Sequence, residues 1–136
     1  MNVFVIGLGE IGRPLYEIVK GVHNAFGVDV DPDRNVDQEP SGPVGVMHIC
    51  FPYSEEFVEK VVGHIGKFNP NLTIVESTVR PGTTSLIWRL TDGKHHLVHS
   101  PGKIEGHCVI PNVMILKEVY PSKFMEALIE STELEH

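Results

Sequence analysis

The stretch from Asn2 to Gly21, "NVFVIGLGEIGRPLYEIVKG", constrains the fold more than any other. An apolar run of one strand's length ends at Gly7, further glycines follow at Gly9 and Gly12, and a helical period then takes over. A strand that turns tightly into a helix crosses over to its neighbour, so the next strand should lie parallel to it. Four more apolar runs follow, in "AFGVDV", "VGVMHICF", "LTIVES" and "HLVHS". Most are continuously apolar, as strands buried on both faces are. Helical patterns separate them. Ile11, Leu15, Ile18, Val19 and Val22 share one face, and Phe57, Val58, Val61, Val62 and Ile65 share another after a Ser54 cap. A third helix after "PGTT" should bury Leu86, Ile87 and Leu90. This alternation predicts an α/β fold, Rossmann-like and doubly wound, with a mainly parallel sheet of about five strands and helices on both faces. The segment "PDRNVDQEPSGP" (32–43) carries prolines and charges without a period, where a full dinucleotide fold places another helix and strand. The fold is therefore expected to be shortened after the second strand.

At 136 residues the chain is expected to form a single domain over 1–133, with the closing "LEH" (134–136) reading as a purification-tag remnant. Its 11 basic and 18 acidic residues give a net charge of -7. The basic residues do not cluster, which argues against a nucleic-acid partner. No apolar stretch approaches the ~20 residues of a membrane span, and the N-terminus enters a strand without a basic leader. The expectation is a cytoplasmic protein with no membrane partner. Cys50 and Cys108 fall in unlike settings, an apolar run and a loop-like one, and read as free thiols. Near the C-terminus "PSKFMEALIES" has the pattern of a helix with Pro121 at its start.

The glycine pattern G-x-G-x-x-G acquires meaning from its position between strand and helix. Gly7 can make the tight turn, Gly9 can let backbone approach a pyrophosphate, and Gly12 can let helix pack on strand. Leu8, Glu10 and Ile11 fill the loop between them, and the helix start offers unpaired N–H groups to the phosphates. Asp29, followed by Val30, ends the second strand about 20 residues past the loop, where a carboxylate can accept both ribose hydroxyls. That charge repels a 2′-phosphate, so NAD is the expected cofactor and NADP the less favoured one. Arg34, close by in sequence, pulls the other way.

The other informative stretch is "LTIVESTVRPGTT", an apolar strand ending in Glu76, Ser77 and Thr78 before a turn into a helix. Ligands of open α/β sheets sit beyond the carboxyl ends of the strands. These residues and the loop after "HICFP" should therefore border the crevice of the glycine loop. Taken together, "VIGLGEIGRPL", "GVDVDP", "ICFP", "VESTVRPGTT" and "HSP" resemble the first domain of the UDP-glucose/GDP-mannose 6-dehydrogenase family, over roughly residues 1–101. The resemblance implies an NAD-binding domain in which Gly7, Gly9, Gly12 and Asp29 carry the adenosine-pyrophosphate half. It implies that Pro52, Ser77 and Thr78 lie near the nicotinamide, with Thr78 matching a threonine close to the reacting centre. The family oxidises a sugar C6 alcohol to a carboxylate by two hydride transfers to NAD, using a cysteine and a lysine from a central helix and a second domain.

The chain departs from that pattern after its last strand. Gly102 and Lys103 follow Ser100 and Pro101 where the family has a carboxylate, and the remaining residues are too few for the central helix and the sugar-nucleotide domain. "EGHCVIP" is similar to the family's cysteine motif but comes much sooner in the chain, which leaves Cys108, with Thr78, as the candidate catalytic residues. Among eight histidines, His95, His96, His99 and His107 come nearest to a cluster. A strand would divide His95 and His99 from His96, and no spacing matches a ligand pair, so no metal is expected. His48 reads as a hydrogen-bonded core histidine and Cys50 as a small hydrophobe. Two functions stay open at this stage. One is an oxidoreductase whose substrate site is completed by a homodimer or a partner subunit meeting an exposed sheet edge. The other is a non-catalytic dinucleotide-binding, structural or regulatory module.

Overall fold

The computed structural model describes residues 1–100. They form β1 (Asn2–Ile6), α1 (Gly12–Lys20), β2 (Asn24–Val28), β3 (Val46–Ile49), α2 (Phe57–Phe68), β4 (Leu72–Val75), α3 (Thr83–Leu90) and β5 (Leu97–His99). The expectations for 101–136, including the final helix, His107 and Cys108, lie outside the described residues. All five strands run parallel in the order β2-β1-β3-β4-β5, as the unbroken apolar runs predict. From β1 the chain steps to β2, returns to the other side of β1 for β3, and proceeds outward. Right-handed crossovers in these two directions put α1 on one face and α2 with α3 on the other.

Alternation along each strand divides the core accordingly. Phe4, Ile6, Met47, Ile49, Val75 and Leu97 pack with Phe57, Val61, Ile65 and Ile87 of α2 and α3. On the opposite face Val5 meets Leu8 and Tyr16, with Ala25 and Cys50 against them. Each fully buried Val, Ile, Phe or Met contributes about 1.5–3 kcal/mol. The larger cluster therefore fixes α2 and α3, and the smaller one fixes α1.

Two helix faces differ from expectation. Helix α1 buries Gly12 and Tyr16 and leaves Ile18 exposed, at 68%, and it ends before Val22, which is also exposed, at 76%. Its apolar stripe is wider than the β1–β2 surface it covers. Helix α3 buries Thr83 and Ile87 while Leu86 and Leu90 stay exposed, because no further described element packs outside it. Helix α2 buries Phe57, Val61 and Ile65 as predicted, but Ser54 contributes its backbone carbonyl to Phe57 N–H and no side-chain cap.

Residues 32–43 contain no helix or strand, yet they do not leave the β2 edge open. Asp37 N–H donates to Gly27 O at 2.8 Å, and the Asp37 carboxylate accepts Gly27 N–H at 3.0 Å and the Tyr16 hydroxyl at 2.8 Å. Asn35 Oδ1 accepts Asp29 N–H at 2.9 Å. Thus 35–37 occupy the positions a neighbouring strand would take, which blunts the edge that sequence reading left exposed. At the far side of the sheet Leu72, Ile74 and Val98 point to the α1 side and are buried. Helix α1 packs on β1 and β2.

Candidate functional site

Because every strand is parallel, the loops after β1 to β4 all emerge at one edge of the sheet, where β5 also ends. The chain reverses direction between β1 and β3, and such a switch point opens a crevice at that edge. The glycine loop lines it. Gly7 leaves β1 at φ +95°, where a Cβ would come within 2.6 Å of Phe51 N. Gly12 lets α1 start against the strand end, since a Cβ there would fall 1.6 Å from Gly7 O. Gly9 differs: a Cβ on it would meet only Arg34 Nη1, at 3.6 Å. Of all other groups only the Arg34 guanidinium therefore approaches the backbone at Gly9 on the side a Cβ would take. Arg13 N–H closes the first helical turn on Gly9 O at 3.1 Å, and the N–H groups before it are the unpaired donors of a helix start.

Asp29 stands at the end of β2 as predicted and is tied to the glycine loop. Its Oδ2 accepts Leu8 N–H at 2.7 Å, and its Oδ1 accepts Asp31 N–H at 2.8 Å. A carboxylate has about four lone-pair sites, so acceptor capacity remains for a ligand. Arg34 lies 3.9 Å from Asp31 Oδ2 and is more than half exposed, a weak ion pair that leaves the guanidinium free to turn toward an anion. Of the remaining loop residues Leu8 is buried, Ile11 half-buried, and Glu10 and Val30 exposed. Glu10 thus keeps its charge in water.

The ends of β3, β4 and β5 form the other wall. Ser77 donates its hydroxyl to Phe51 O at 2.5 Å, and His99 Nε2 donates to Ser77 O at 3.0 Å. These two bonds stitch three strand ends together. Pro52 and Thr78 are exposed beside them. Glu76 turns to the α1 side, where Cys50 Sγ donates to its Oε2 at 3.2 Å and His48 Nδ1 lies 3.3 Å from the same oxygen. Burial first, then the neighbouring carboxylate, pushes the Cys50 thiol up, so it stays protonated. His48 is buried in the sheet as expected, and its Nδ1 makes no hydrogen bond although Glu76 Oε2 lies 3.3 Å away. Cys50 acts as a hydrogen-bond donor and not only as a small hydrophobe.

No family model, curated protein or solved structure matches the chain. The functional reading therefore rests on this chain's own residues. Sequence reasoning placed Gly7, Gly9, Gly12, Asp29, Pro52, Ser77 and Thr78 at one edge, and the structure brings them there. It missed the Ser77–His99 link and the place of Arg34 against Gly9, because both depend on how loops fold back. Cys108 lies outside the described residues. Among the described residues no group of three or more His, Cys, Asp or Glu side chains could hold a metal ion, and no helix is long and apolar enough to cross a membrane. A separate cleft of about 360 Å³, lined by Val62, Ile65, Asn69, Leu90 and His95 among others, lies at the opposite pole of the sheet from the glycine loop.

Proposed function

We propose that the chain binds NAD in the crevice between the glycine loop and the β3–β5 strand ends. The observation that carries this reading is the Asp29 to Leu8 hydrogen bond of 2.7 Å. It makes the β2 acid and the phosphate-type loop one unit, with backbone donors on one side and a diol acceptor on the other. The helix α1 start and the Arg34 guanidinium favour the pyrophosphate charge. The Asp29 charge favours an unmodified ribose over one carrying a 2′-phosphate. The nicotinamide end would meet Pro52, Ser77 and Thr78, where bound NAD supplies a hydride acceptor.

The resemblance to nucleotide-sugar 6-dehydrogenases makes the chain a candidate cofactor platform for alcohol oxidation, with a partner chain completing the substrate site. A second reading, a binding module without turnover, is favoured by a specific observation. The one described thiol, Cys50, is held protonated by burial and engaged with Glu76. A nucleophile needs an activating base or a lowered pKa.

Calorimetric titration with NAD, NADH and NADP tests the binding. NAD and NADH are expected to bind, and NADP to bind more weakly. Asp29→Ala should weaken NAD roughly 10- to 100-fold, the worth of hydrogen bonds to a charged group. Asp29→Asn should narrow the gap between NAD and NADP. Folded protein that binds neither NAD nor NADH overturns the proposal. A turnover assay with UDP-glucose then separates the two readings, since binding without hydride transfer selects the module.

A further inference from the structure

The cleft of about 360 Å³ lies where α2 and α3 end, and the dinucleotide reading leaves it unused. Its volume falls within the roughly 300–1,000 Å³ of small-molecule sites. Val62 and Ile65 of α2 and Leu90 of α3 supply the apolar part of its lining, and Asp92 and Lys94 supply charges of both signs. Gly66, inside α2, also lines it. A glycine weakens a helix interior, yet a Cβ at Gly66 would meet no atom within 4 Å. Packing among the described residues therefore does not call for glycine here. What the glycine does is keep that wall of the cleft free of a side chain.

The electrostatics are divided in the same way. Both helices end at the cleft, and the negative ends of their dipoles add to the Asp92 carboxylate, so this part favours a cation. Lys94 offers an ammonium to an anion. Lys67, in the last turn of α2, is already held by Glu39 at 2.7 Å. Burial lowers the pKa of His95 and keeps it neutral, with its Nε2 2.8 Å from Thr73 Oγ1. Opposite charges beside an apolar wall match a small molecule that carries an ammonium, a carboxylate and an apolar side chain.

We propose that this cleft binds a free apolar amino acid. Asp92 and the ends of α2 and α3 meet its ammonium group, Lys94 meets its carboxylate, and Val62, Ile65 and Leu90 meet its side chain. The site shares no residue with the crevice at the other pole, so it stands whether or not NAD binds there.

The test titrates the full chain with L-leucine and follows backbone amide shifts by NMR. Saturable shifts are expected at Val62, Gly66, Asn69 and across 90–95, with none across 7–12. Gly66→Leu puts a side chain into the cleft at an open position, and leucine is the better helix former. That variant should fold and bind leucine more weakly by roughly ten-fold or more. Gly63→Ala, equally open but outside the lining, should bind as the wild type does. Asp92 has φ +63°, which asparagine accepts, so Asp92→Asn removes the charge and keeps the turn. Asp92→Asn and Lys94→Gln should each weaken leucine by roughly ten-fold or more. Isoamylamine, which lacks the carboxylate, and isocaproate, which lacks the ammonium, should fall behind leucine by a similar factor. Three results overturn the proposal: no saturable shift up to the solubility of leucine, unchanged leucine affinity in Gly66→Leu or Asp92→Asn, or a single-charge analogue that binds as tightly as leucine.

Discussion

A methyl group at Gly12 has no space, because Gly7 O lies 1.6 Å from where its Cβ would be. Gly12→Ala is therefore expected to force helix α1 off the end of β1, destabilising the protein by about 2 kcal/mol or more in urea unfolding and removing NAD binding. Gly9→Ala tests the opposite limit. Only the mobile end of Arg34 stands near its Cβ, so stability should change by less than ~0.5 kcal/mol while NAD affinity falls, the methyl group now occupying the path of a pyrophosphate. A loop that serves only as a turn would lose stability and nothing else. The histidines set a pH dependence at the same scale. Burial lowers the pKa of His64 and His95, and His95 is held at 2.8 Å from Thr73 Oγ1. The unfolded chain thus binds protons that the folded one refuses, so stability is complete above about pH 6.5 and declines as pH falls through it. Urea midpoints should drop between pH 7.5 and 5.5, and a His64→Asn/His95→Gln variant should show a shallower drop over that window.

Elements were legible in the sequence wherever burial on both faces gave an uninterrupted apolar run, and this holds for β1, β3 and β4. The parallel topology followed from strands alternating with helical patterns. Helix faces were less legible, because a helix advertises its whole apolar stripe while packing decides which part is used. On α3 the stripe pointed to Leu86, Ile87 and Leu90, yet only Ile87 meets the core. Ile87→Ala is expected to cost about 2–4 kcal/mol and Leu90→Ala well under 1 kcal/mol in urea unfolding, a difference that composition cannot foresee. Asp37 was invisible for another reason. It belongs to a stretch without period, and its worth comes from holding Gly27 and the Tyr16 hydroxyl together across the sheet edge. The Tyr16 hydroxyl is itself raised in pKa by its burial and by that carboxylate. Asp37→Ala leaves both donors without a partner and should destabilise by about 2–3 kcal/mol. In contrast, the candidate site was largely legible, since glycines and strand-end acids are positions where local chemistry and ligand chemistry make the same demand.

For the molecule as a whole, the proposed binding of NAD would be linked to folding. The crevice joins the ends of strands from both halves of the sheet: β1 and β2 through Leu8 and Asp29, β3 to β5 through Ser77 and His99. A ligand that spans it contacts only the folded arrangement, because unfolding separates every one of those groups. At a concentration of 100 times its Kd such a ligand stabilises by about 2.7 kcal/mol. For a chain of 136 residues this corresponds to a rise of roughly 9 °C in Tm. NAD is expected to produce that rise in the wild type, a smaller one in Asp29→Asn, and none in Gly12→Ala at temperatures where that variant is folded.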